Sequence, residues 1–261
     1  MGRDAADVGV RERAAAAIAE WSRALIAAAG GFCVAVKPQL ACFERFGAPG
    51  WLALEETVAA AHGAGLLVIA DGKRGDVPFT AAVYGQALVG ETETPWGSVA
   101  GLGADAFTAN PLLGSDALDA LVDAAAAAGA GVFALVRTSN PGAADLLDLP
   151  APEAPLHERL ARMVAERGDR LRGVSGLSGM GAVVGATEPR FLARLRELMP
   201  ASVFLIPGVG AQGGRPSDLR PVFSGGSAAA LVAASRSIAE ADDPAAAARR
   251  LRDEVWTISG G

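Results

Sequence analysis

Seven short apolar segments recur along the chain, and nearly all of them end in polar or glycine-rich residues. They cover residues 32–37, 66–73, 106–110, 132–139, 182–187, 203–210 and 231–238. Sequences typical of helices lie between them. This alternation predicts parallel strands joined by right-handed crossover helices, because helices that cover a sheet let its strands be apolar along their whole length.

Helix boundaries are readable at three places. Residues 11–29 are rich in alanine and are followed by a glycine pair, which predicts a helix and its end. Ser115 is predicted as the N-cap of a helix that ends at Gly129. Asp243 and Pro244 predict the start of the last helix, since Asp is a preferred N-cap and Pro suits the first helical position.

The predicted fold class is α/β, with a (β/α)8 TIM barrel as the architecture. Polar residues gather at the ends of nearly all the strands, as they do around the mouth of a barrel. An open doubly wound sheet would concentrate them at one switch point, and no G-x-G-x-x-G motif follows a first strand.

A closed barrel of this type needs eight strands, whereas seven are readable. We therefore expect a barrel in which the first strand is missing from this chain. A strand within residues 7–11 is the alternative, although that stretch is short and charged. Residues 1–261 are predicted to form one domain, with 1–31 as an N-terminal helical segment and 32–261 as the barrel.

Composition and charge narrow the class of protein. A chain of 261 residues with 51% hydrophobic residues and a net charge of -6 suits one large domain with a buried core. Cys33 and Cys42 lack metal-ligand spacing, which argues against a zinc site or a disulfide scaffold and favours a reducing cytoplasm. No charge-free apolar stretch approaches the roughly 20 residues that span a bilayer. Mild acidity argues against a nucleic-acid partner.

The densest charge cluster lies at residues 71–77, where an apolar strand ends in D-G-K-R-G-D-V. Side chains alternate along a strand, so Asp71 and Lys73 are expected on one face, with Asp76 just beyond. Lys37 ends the first readable strand and is expected to point toward this cluster. The structural alternatives are a salt bridge at a helix start and a lysine that extends from a strand end into solvent.

Two further segments carry polar groups suited to a ligand. Residues 207–214 are glycine-rich, and together with Ser235 and Arg236 they suit a phosphate, which loops after the last strands of such barrels commonly bind. Residues 138–142, T-S-N-P-G, present hydroxyl and amide groups able to hydrogen-bond the edge of a planar heterocycle. A tight turn and a helix N-cap are the structural alternatives.

Other kinds of chemistry have weak candidates. His62 and His157 lack a partner at metal or triad spacing and are expected at the surface. No G-x-S-x-G elbow is present, and neither cysteine stands in a nucleophile motif, so covalent catalysis has no candidate residue.

Taken together, these motifs resemble the orotidine 5'-phosphate decarboxylase family, especially its bacterial branch. The matching residues are 71–76, 138–142, V-V-G-A-T at 183–187 and P-G-V-G-A-Q-G-G at 207–214, in this order and at successive strand ends. Members of that family are TIM barrels that convert orotidine 5'-monophosphate to uridine 5'-monophosphate (UMP) without metal or organic cofactor. They act as homodimers that share their active sites.

The resemblance implies a role for each matching residue. Lys73 would protonate C6 of the pyrimidine, and Asp71 and Lys37 would complete its charged network. Asp76 and Thr80 resemble the pair that reaches into the neighbouring subunit's site. The substrate-binding set so implied is Thr80, Val77, Thr138, Ser139, Pro207, Gly210, Gln212, Ser235 and Arg236, with the pyrimidine on Ser139 and the phosphate on Gln212 and Arg236.

Two departures from the family pattern leave other functions open. Gly72 stands where the family has alanine, and no G-x-D-P motif precedes residue 32. A barrel without that strand could be a non-catalytic nucleotide-phosphate binder. The third possibility is a metal-dependent sugar-phosphate decarboxylase or aldolase, a class that shares D-x-K-x-x-D but has an acidic metal ligand near the position of Lys37.

Overall fold

The computed structural model describes residues 5–150 and 152–260. Its strands are β1 (Ala35–Val36), β2 (Leu67–Arg74), β3 (Glu91–Thr94), β4 (Gly97–Ala100), β5 (Ala106–Ala109), β6 (Gly131–Arg137), β7 (Ser178–Val184), β8 (Ser202–Ile206) and β9 (Ala230–Val232). Its helices are α1 (Ala5–Ala29), α2 (Leu40–Glu44), α3 (Ala48–Gly63), α4 (Pro78–Val89), α5 (Ser115–Ala128), α6 (Ala143–Leu147), α7 (Leu156–Glu166), α8 (Leu192–Leu198), α9 (Arg236–Ala239) and α10 (Pro244–Ser259).

Within the described part of the chain, seven strands form one parallel sheet in the order β1-β2-β5-β6-β7-β8-β9. Apart from an inserted hairpin, neighbours in sequence are neighbours in the sheet, as right-handed β-α-β crossovers produce. All seven predicted strands are confirmed, and so is the TIM-barrel architecture. β1 and β9 lie at the two ends of this order.

The sheet curls around a small apolar interior. Ile69, Ala106, Phe133, Val183 and Leu205 form one buried cluster, with one residue from each of five consecutive strands. Residues of the first and last strands, including Ala35 and Leu231, pack against the same cluster. Since both ends of the sheet reach one interior, the strand ends surround a common mouth.

The larger core lies between the outer face of the sheet and the helices. Val68 and Ala70 of β2 point outward into it, whereas Ile69 between them points inward, in the period-2 pattern of a strand. Phe107 and Phe204 are fully buried there. Burying a side chain of this size contributes about 1.5–3 kcal/mol, so this layer supplies most of the stabilisation.

The N-terminal segment is helical from the start of the described residues. Helix α1 begins at Ala5, six residues before the predicted start, so the alternative of a strand at 7–11 is wrong. Its buried residues Ala15, Ala19 and Ile26 belong to the large core. None of the helices within residues 5–150 and 152–260 has both the length and the apolar character needed to cross a membrane.

Several predicted boundaries need correction. Ser115 is the first residue of α5 and makes no side-chain cap bond, so the predicted N-cap is wrong by one residue and the flanking position is Gly114. Strand β9 ends at Val232, which removes residues 233–238 from the predicted strand. Asp243 is confirmed as an N-cap, because its carboxylate accepts a hydrogen bond from the N–H of Ala246 at 2.9 Å.

A β-hairpin made of β3 and β4 was not predicted. It follows α4 and pairs antiparallel from Glu91 opposite Ala100 to Thr94 opposite Gly97. Its strands are almost wholly exposed, and Trp96 at its tip is 92% exposed. Without a buried face, the hairpin has no alternation of apolar and polar residues by which to recognise it.

Candidate active site

Two lysines hold one buried carboxylate at the mouth of the barrel. Lys37 Nζ lies 2.5 Å from Asp71 Oδ2, and Lys73 Nζ lies 2.6 Å from Asp71 Oδ1. The Asp71 side chain is 6% exposed, whereas those of Lys37 and Lys73 are 26% and 42% exposed. The two ammonium groups are therefore partly open to solvent, while the single buried carboxylate between them fixes their positions.

The charge of Asp71 is set by two opposing effects. Burial acts to raise its pKa, but the charges and hydrogen bonds of Lys37 and then Lys73 outweigh burial and lower the pKa below the ordinary value of 3.8. The carboxylate is therefore ionised at neutral pH. An ionised Asp71 gives each ammonium a fixed anionic partner.

The backbone at the end of β2 is bent so that Lys73 faces this carboxylate. The pairing register with β5 shifts between Ala70 and Arg74, and Lys73 takes a positive φ of 48°, which non-glycine residues rarely adopt. Its N–H donates to Thr108 Oγ1 at 2.8 Å. Gly75 follows, where a Cβ would lie 2.5 Å from the carbonyl oxygen of Asn110, so only glycine permits this close approach.

Thr108 is a further residue of the candidate site, which no sequence motif indicated. Its hydroxyl donates to Asp71 Oδ1 at 2.8 Å and accepts from the N–H of Lys73, so it joins the carboxylate to the bent backbone. Thr108 is 1% exposed in an otherwise apolar strand, A-F-T-A. A lone hydroxyl in a fully buried strand was the available signal.

Asp76 stands apart from the lysines. Its Oδ1 accepts from the N–H of Val77 at 2.7 Å, and no ion pair with Lys37 or Lys73 occurs within residues 5–150 and 152–260. Val77 precedes α4 and is 57% exposed, and Thr80 lies in the first turn of that helix. The predicted compact cluster therefore contains Asp71 and Lys73 but not Asp76.

Arg74 and Glu44 form an ion pair next to the bent end of β2. The Arg74 guanidinium pairs with the Glu44 carboxylate and lies over the ring of Tyr84, 5.5 Å from its centroid. Glu44 belongs to α2, beyond the end of β1. These contacts tie α2 and α4 to the end of β2.

The T-S-N-P-G and V-G-A-T segments meet beside the phosphate-loop candidate. Ser139 Oγ donates to Gln212 Oε1 at 2.8 Å, and Thr187 Oγ1 donates to the Ser139 carbonyl at 3.1 Å. A Cβ on Gly185 would lie 2.7 Å from the backbone N of Ser139, so glycine is needed for this contact. Thr138 Oγ1 instead donates to Asn140 Oδ1 at 2.7 Å, within its own turn.

The loop at 207–214 is closed by its own backbone. The Gly210 N–H donates to the Gly214 carbonyl at 2.9 Å, and the Gly213 N–H donates to the Gly210 carbonyl at 2.8 Å. The Gly214 N–H donates to the Gly208 carbonyl at 3.0 Å. The N–H of Gly210, a residue of the predicted substrate-binding set, is therefore bonded within the loop. The Gln212 side chain at the tip is exposed.

Ser235 and Arg236 lie next to that loop. Ser235 is the N-cap residue of α9, Arg236 is its first residue, and both are exposed. A Cβ on Gly210 would lie 3.3 Å from Ser237, which places the loop against this helix start. Ser235 and Arg236 are predicted within a strand at 231–238, whereas they follow β9 after a short connection. Pro207 immediately follows β8.

One predicted surface residue is buried. His157 is 4% exposed, its Nδ1 lies 2.8 Å from the Leu147 carbonyl, and its ring packs edge-on against Phe191. The expectation that it lies at the surface is wrong, because α7 turns this face toward the core. His62 is partly exposed as expected and pairs with Asp105 at 3.0 Å.

Comparison with known proteins matches this geometry to one family. Residues 11–251 match the model of the orotidine 5'-phosphate decarboxylase / HUMPS family. A Rhodopirellula baltica protein named orotidine 5'-phosphate decarboxylase is 40% identical, over 90% of this chain and 77% of that protein. Its namesake from Deinococcus radiodurans is 43% identical, over 88% and 82%.

Solved structures agree with the sequence relatives. A putative orotidine 5'-phosphate decarboxylase from Streptomyces avermitilis superposes with a TM-score of 0.80 at 33% identity, covering 95% of this chain and 84% of that one. Orotidine monophosphate decarboxylase from Leishmania donovani gives 0.75 at 33% identity, with 98% of both chains covered. This chain therefore belongs to the orotidine 5'-phosphate decarboxylase family.

Proposed function

We propose that this protein decarboxylates orotidine 5'-monophosphate to UMP, with Lys73 as the proton donor. The observation that carries the proposal is the buried Asp71 carboxylate held between Lys37 and Lys73 at the barrel mouth. Such a network keeps a proton-bearing ammonium in one place while leaving it partly open to a ligand. The family membership reported above supplies the substrate.

The chemistry needs a cation beside the carbon that loses carbon dioxide. The bond between C6 and its carboxylate carbon breaks, carbon dioxide leaves, and the electron pair stays on C6. The Lys73 ammonium stabilises this developing negative charge and then transfers its proton to C6. The neutral amine regains a proton from water, so the enzyme ends unchanged and no redox partner takes part.

Binding the rest of the nucleotide falls to the opposite side of the mouth. Ser139, with Thr138 beside it, is proposed to hydrogen-bond the pyrimidine, and Gln212 and Arg236 to hold the phosphate. The short bond between Ser139 and Gln212 supports this, because it places the two groups side by side. Pro207, Gly210 and Ser235 shape the phosphate loop, and the grip on the phosphate lets remote binding energy act on the reacting ring.

We further propose a homodimer in which Asp76, Val77 and Thr80 complete the partner's site. Asp76 does not engage the lysines of its own chain, so its carboxylate can serve elsewhere. Val77 and Phe79 are 57% and 83% exposed beside it, and exposed apolar groups around a charged residue are typical of a protein interface. A cytoplasmic location stays a prediction of the sequence.

A magnesium-dependent reaction fits this site less well. A divalent cation would need the Asp71 carboxylate as a ligand, yet both oxygens already accept hydrogen bonds from ammonium groups. Lys37 would also repel the metal from the position where the related metal enzymes carry an acidic ligand. The donor set therefore favours direct protonation by lysine.

The proposed activity is tested by following the ultraviolet absorbance of orotidine 5'-monophosphate with the purified chain. Lys73→Ala provides the matched control, since the Lys73 side chain is partly exposed and we expect its loss to leave the fold intact. We expect turnover by the wild-type chain and a loss of at least about 1,000-fold in the variant. A folded wild-type chain without turnover above this control would contradict the proposal.

The shared site is tested by mixing two inactive variants, Asp76→Asn and Lys73→Ala. If Asp76 acts in the partner's site, mixed dimers contain one site with both native residues and regain part of the activity. Subunit exchange is verified with a tag on one variant. Exchange without recovery would show that Asp76 acts in its own chain or not at all.

A further inference from the structure

The end of β6 carries a buried arginine that the proposed reaction does not use. Arg137 is 4% exposed and directly precedes Thr138 and Ser139. Strict alternation along β6 would place it on the inner face with Phe133 and Leu135. The pairing register with β7 shifts between Leu135 and Arg137, and such an irregularity redirects a side chain.

The redirected guanidinium meets a carboxylate in the connection that follows α6. Arg137 Nε lies 2.8 Å from Asp148 Oδ1, and Nη2 lies 3.1 Å from Asp148 Oδ2. Two parallel bonds of this kind fix the plane of the guanidinium as well as its position. The bond from Arg137 also keeps the pKa of Asp148 low, so the pair is charged at neutral pH.

The same arginine holds both segments that surround Ser139. Its Nη1 donates to the Thr138 carbonyl at 2.7 Å, which fixes the peptide unit between Thr138 and Ser139. Its own carbonyl accepts from the N–H of Gly185 at 2.7 Å, which anchors the neighbouring V-G-A-T segment. One side chain and one peptide group thus set the position of Ser139 from two sides.

His157 and Phe191 keep Asp148 and its arginine partner in place through polar and apolar contacts. His157 Nδ1 lies 2.8 Å from the Leu147 carbonyl and 3.3 Å from Asp148 Oδ1. Its ring packs edge-on against Phe191 at 4.8 Å, and the Arg137 guanidinium lies 5.1 Å from the centroid of that same ring. Because α7 supplies His157, the Arg137–Asp148 clamp is anchored to the core of the protein.

We propose that Arg137, held by Asp148, is a positioning residue for recognition of the pyrimidine, acting through the Thr138–Ser139 segment. This inference rests on the proposed function, in which Ser139 binds the base. The clamp lies behind that segment, so its loss misplaces Ser139 while the Lys37–Asp71–Lys73 network stays as it is. The backbone of the phosphate loop closes through its own hydrogen bonds, so loss of the clamp leaves that backbone in place and removes at most the side-chain bond from Ser139 to Gln212.

This separation predicts different effects on two ligands. UMP has both base and phosphate, whereas ribose 5-phosphate has the phosphate without the base. In Arg137→Met, we expect UMP affinity measured by calorimetry to fall by about tenfold or more, the size of one lost charge-assisted contact. Affinity for ribose 5-phosphate should stay within about threefold, and Arg137→Lys should recover part of the UMP affinity because it keeps the charge.

Arg167→Met is the matched control. Arg167 is also buried, at 7% exposed, and it also forms two parallel hydrogen bonds with a carboxylate. Its Nε and Nη2 both lie 3.0 Å from the oxygens of Asp119. Its other bonds go to the carbonyls of Met163 and Ser115, outside the candidate site. The two variants therefore lose similar stabilising contacts, but only Arg137→Met removes a contact with the Thr138–Ser139 segment.

Three results would overturn the inference: unchanged UMP affinity in Arg137→Met, an equal loss for both ligands, or the same selective loss in Arg167→Met. If Arg137→Met does not fold, Asp148→Asn takes its place in the same comparison, since it removes the partner charge and keeps the size. Turnover of orotidine 5'-monophosphate by the wild-type chain is measured in parallel. A wild-type chain that turns over substrate while the ligand pattern fails would leave the proposed function standing and remove only the role of Arg137.

Discussion

Replacing Asp71 with asparagine separates the catalytic role of the carboxylate from its structural role. The substitution keeps the size of the side chain and one acceptor for the Thr108 hydroxyl, but it removes the charge shared by Lys37 and Lys73. The two ammonium groups then face each other without an anion between them. Lys73, which is the more exposed of the two, is expected to turn toward solvent.

The cost in stability follows from the contacts. A hydrogen bond to a charged group contributes about 1.5–3 kcal/mol in a buried setting. Because the lysine side chains are 26% and 42% exposed, water replaces much of that, and we expect about 1 kcal/mol for each. The free energy of unfolding should therefore fall by about 2 kcal/mol, which leaves a folded protein.

The cost in catalysis should be larger. A displaced Lys73 neither stabilises the charge at C6 nor delivers its proton in line, so kcat should fall by about 100-fold to 1,000-fold. That corresponds to about 3–4 kcal/mol of transition-state stabilisation. Steady-state turnover of orotidine 5'-monophosphate and urea unfolding, followed by circular dichroism, measure the two quantities on the same samples.

Asp119→Asn is the control, because Asp119 is also a carboxylate between two cations. Arg167 Nε lies 3.0 Å from it and Arg170 Nη1 lies 2.5 Å from it, away from the candidate site. This variant should lose stability and keep its turnover. If Asp71→Asn retained kcat within about threefold of wild type, or if Asp119→Asn lost as much, the idea that Asp71 orients the proton donor would be refuted.

Further predictions concern the surroundings of this network. Thr108→Val removes the hydroxyl beneath Asp71, so kcat should fall by about tenfold with KM little changed, and a loss confined to KM would contradict this. Since the pKa of Asp71 is lowered by folding, its stabilising contribution is present above pH 3.8 and is lost as the pH falls further. The difference in unfolding free energy between wild type and Asp71→Asn should thus shrink below pH about 4, and a constant difference down to pH 3 would refute the assignment. Gly185→Ala places a Cβ against the Ser139 backbone and should weaken UMP binding by at least about tenfold, whereas unchanged affinity would show that the segment can move. Arg236→Ala should weaken ribose 5-phosphate by about tenfold or more in calorimetry and leave uridine binding unchanged, and the opposite pattern would remove Arg236 from the phosphate site.

The strand ends were predictable because composition marks them. Each barrel strand is a run of apolar residues, and the polar groups that follow it lie at the mouth by the geometry of parallel strands alone. The approach of Lys37 to Asp71 follows from this rule, since neighbouring strands β1 and β2 place their ends side by side. Motif order along the chain then indicated the family.

Register shifts are the part that the sequence did not reveal. Lys73 adopts a positive φ beside one shift, and Arg137 turns away from the barrel interior beside another. Both depend on how two strands pair over a long separation in sequence, for which a single strand carries no local signal. His157 was misjudged for a similar reason, because its burial depends on the packing of α7 and on Phe191.

The two halves of the candidate site are supported in different ways, and this difference follows from the chemistry each has to perform. The half proposed to donate the proton, at the ends of β1, β2 and β5, is held mainly by charge: one buried carboxylate and two ammonium groups, with the Thr108 hydroxyl beside them. A proton donor must stay in one place during the reaction, and preorganised charges in a partly dry setting achieve this. The binding half, beyond β6 to β9, has an exposed glycine-rich loop whose tip, Gln212, contacts Ser139 through one hydrogen bond. A loop of this kind can open to admit a nucleotide and close on its phosphate. Arg137 lies at the boundary, where its bonds to Asp148 and to the Thr138 carbonyl support Ser139, the residue proposed to link the base to the glycine-rich loop.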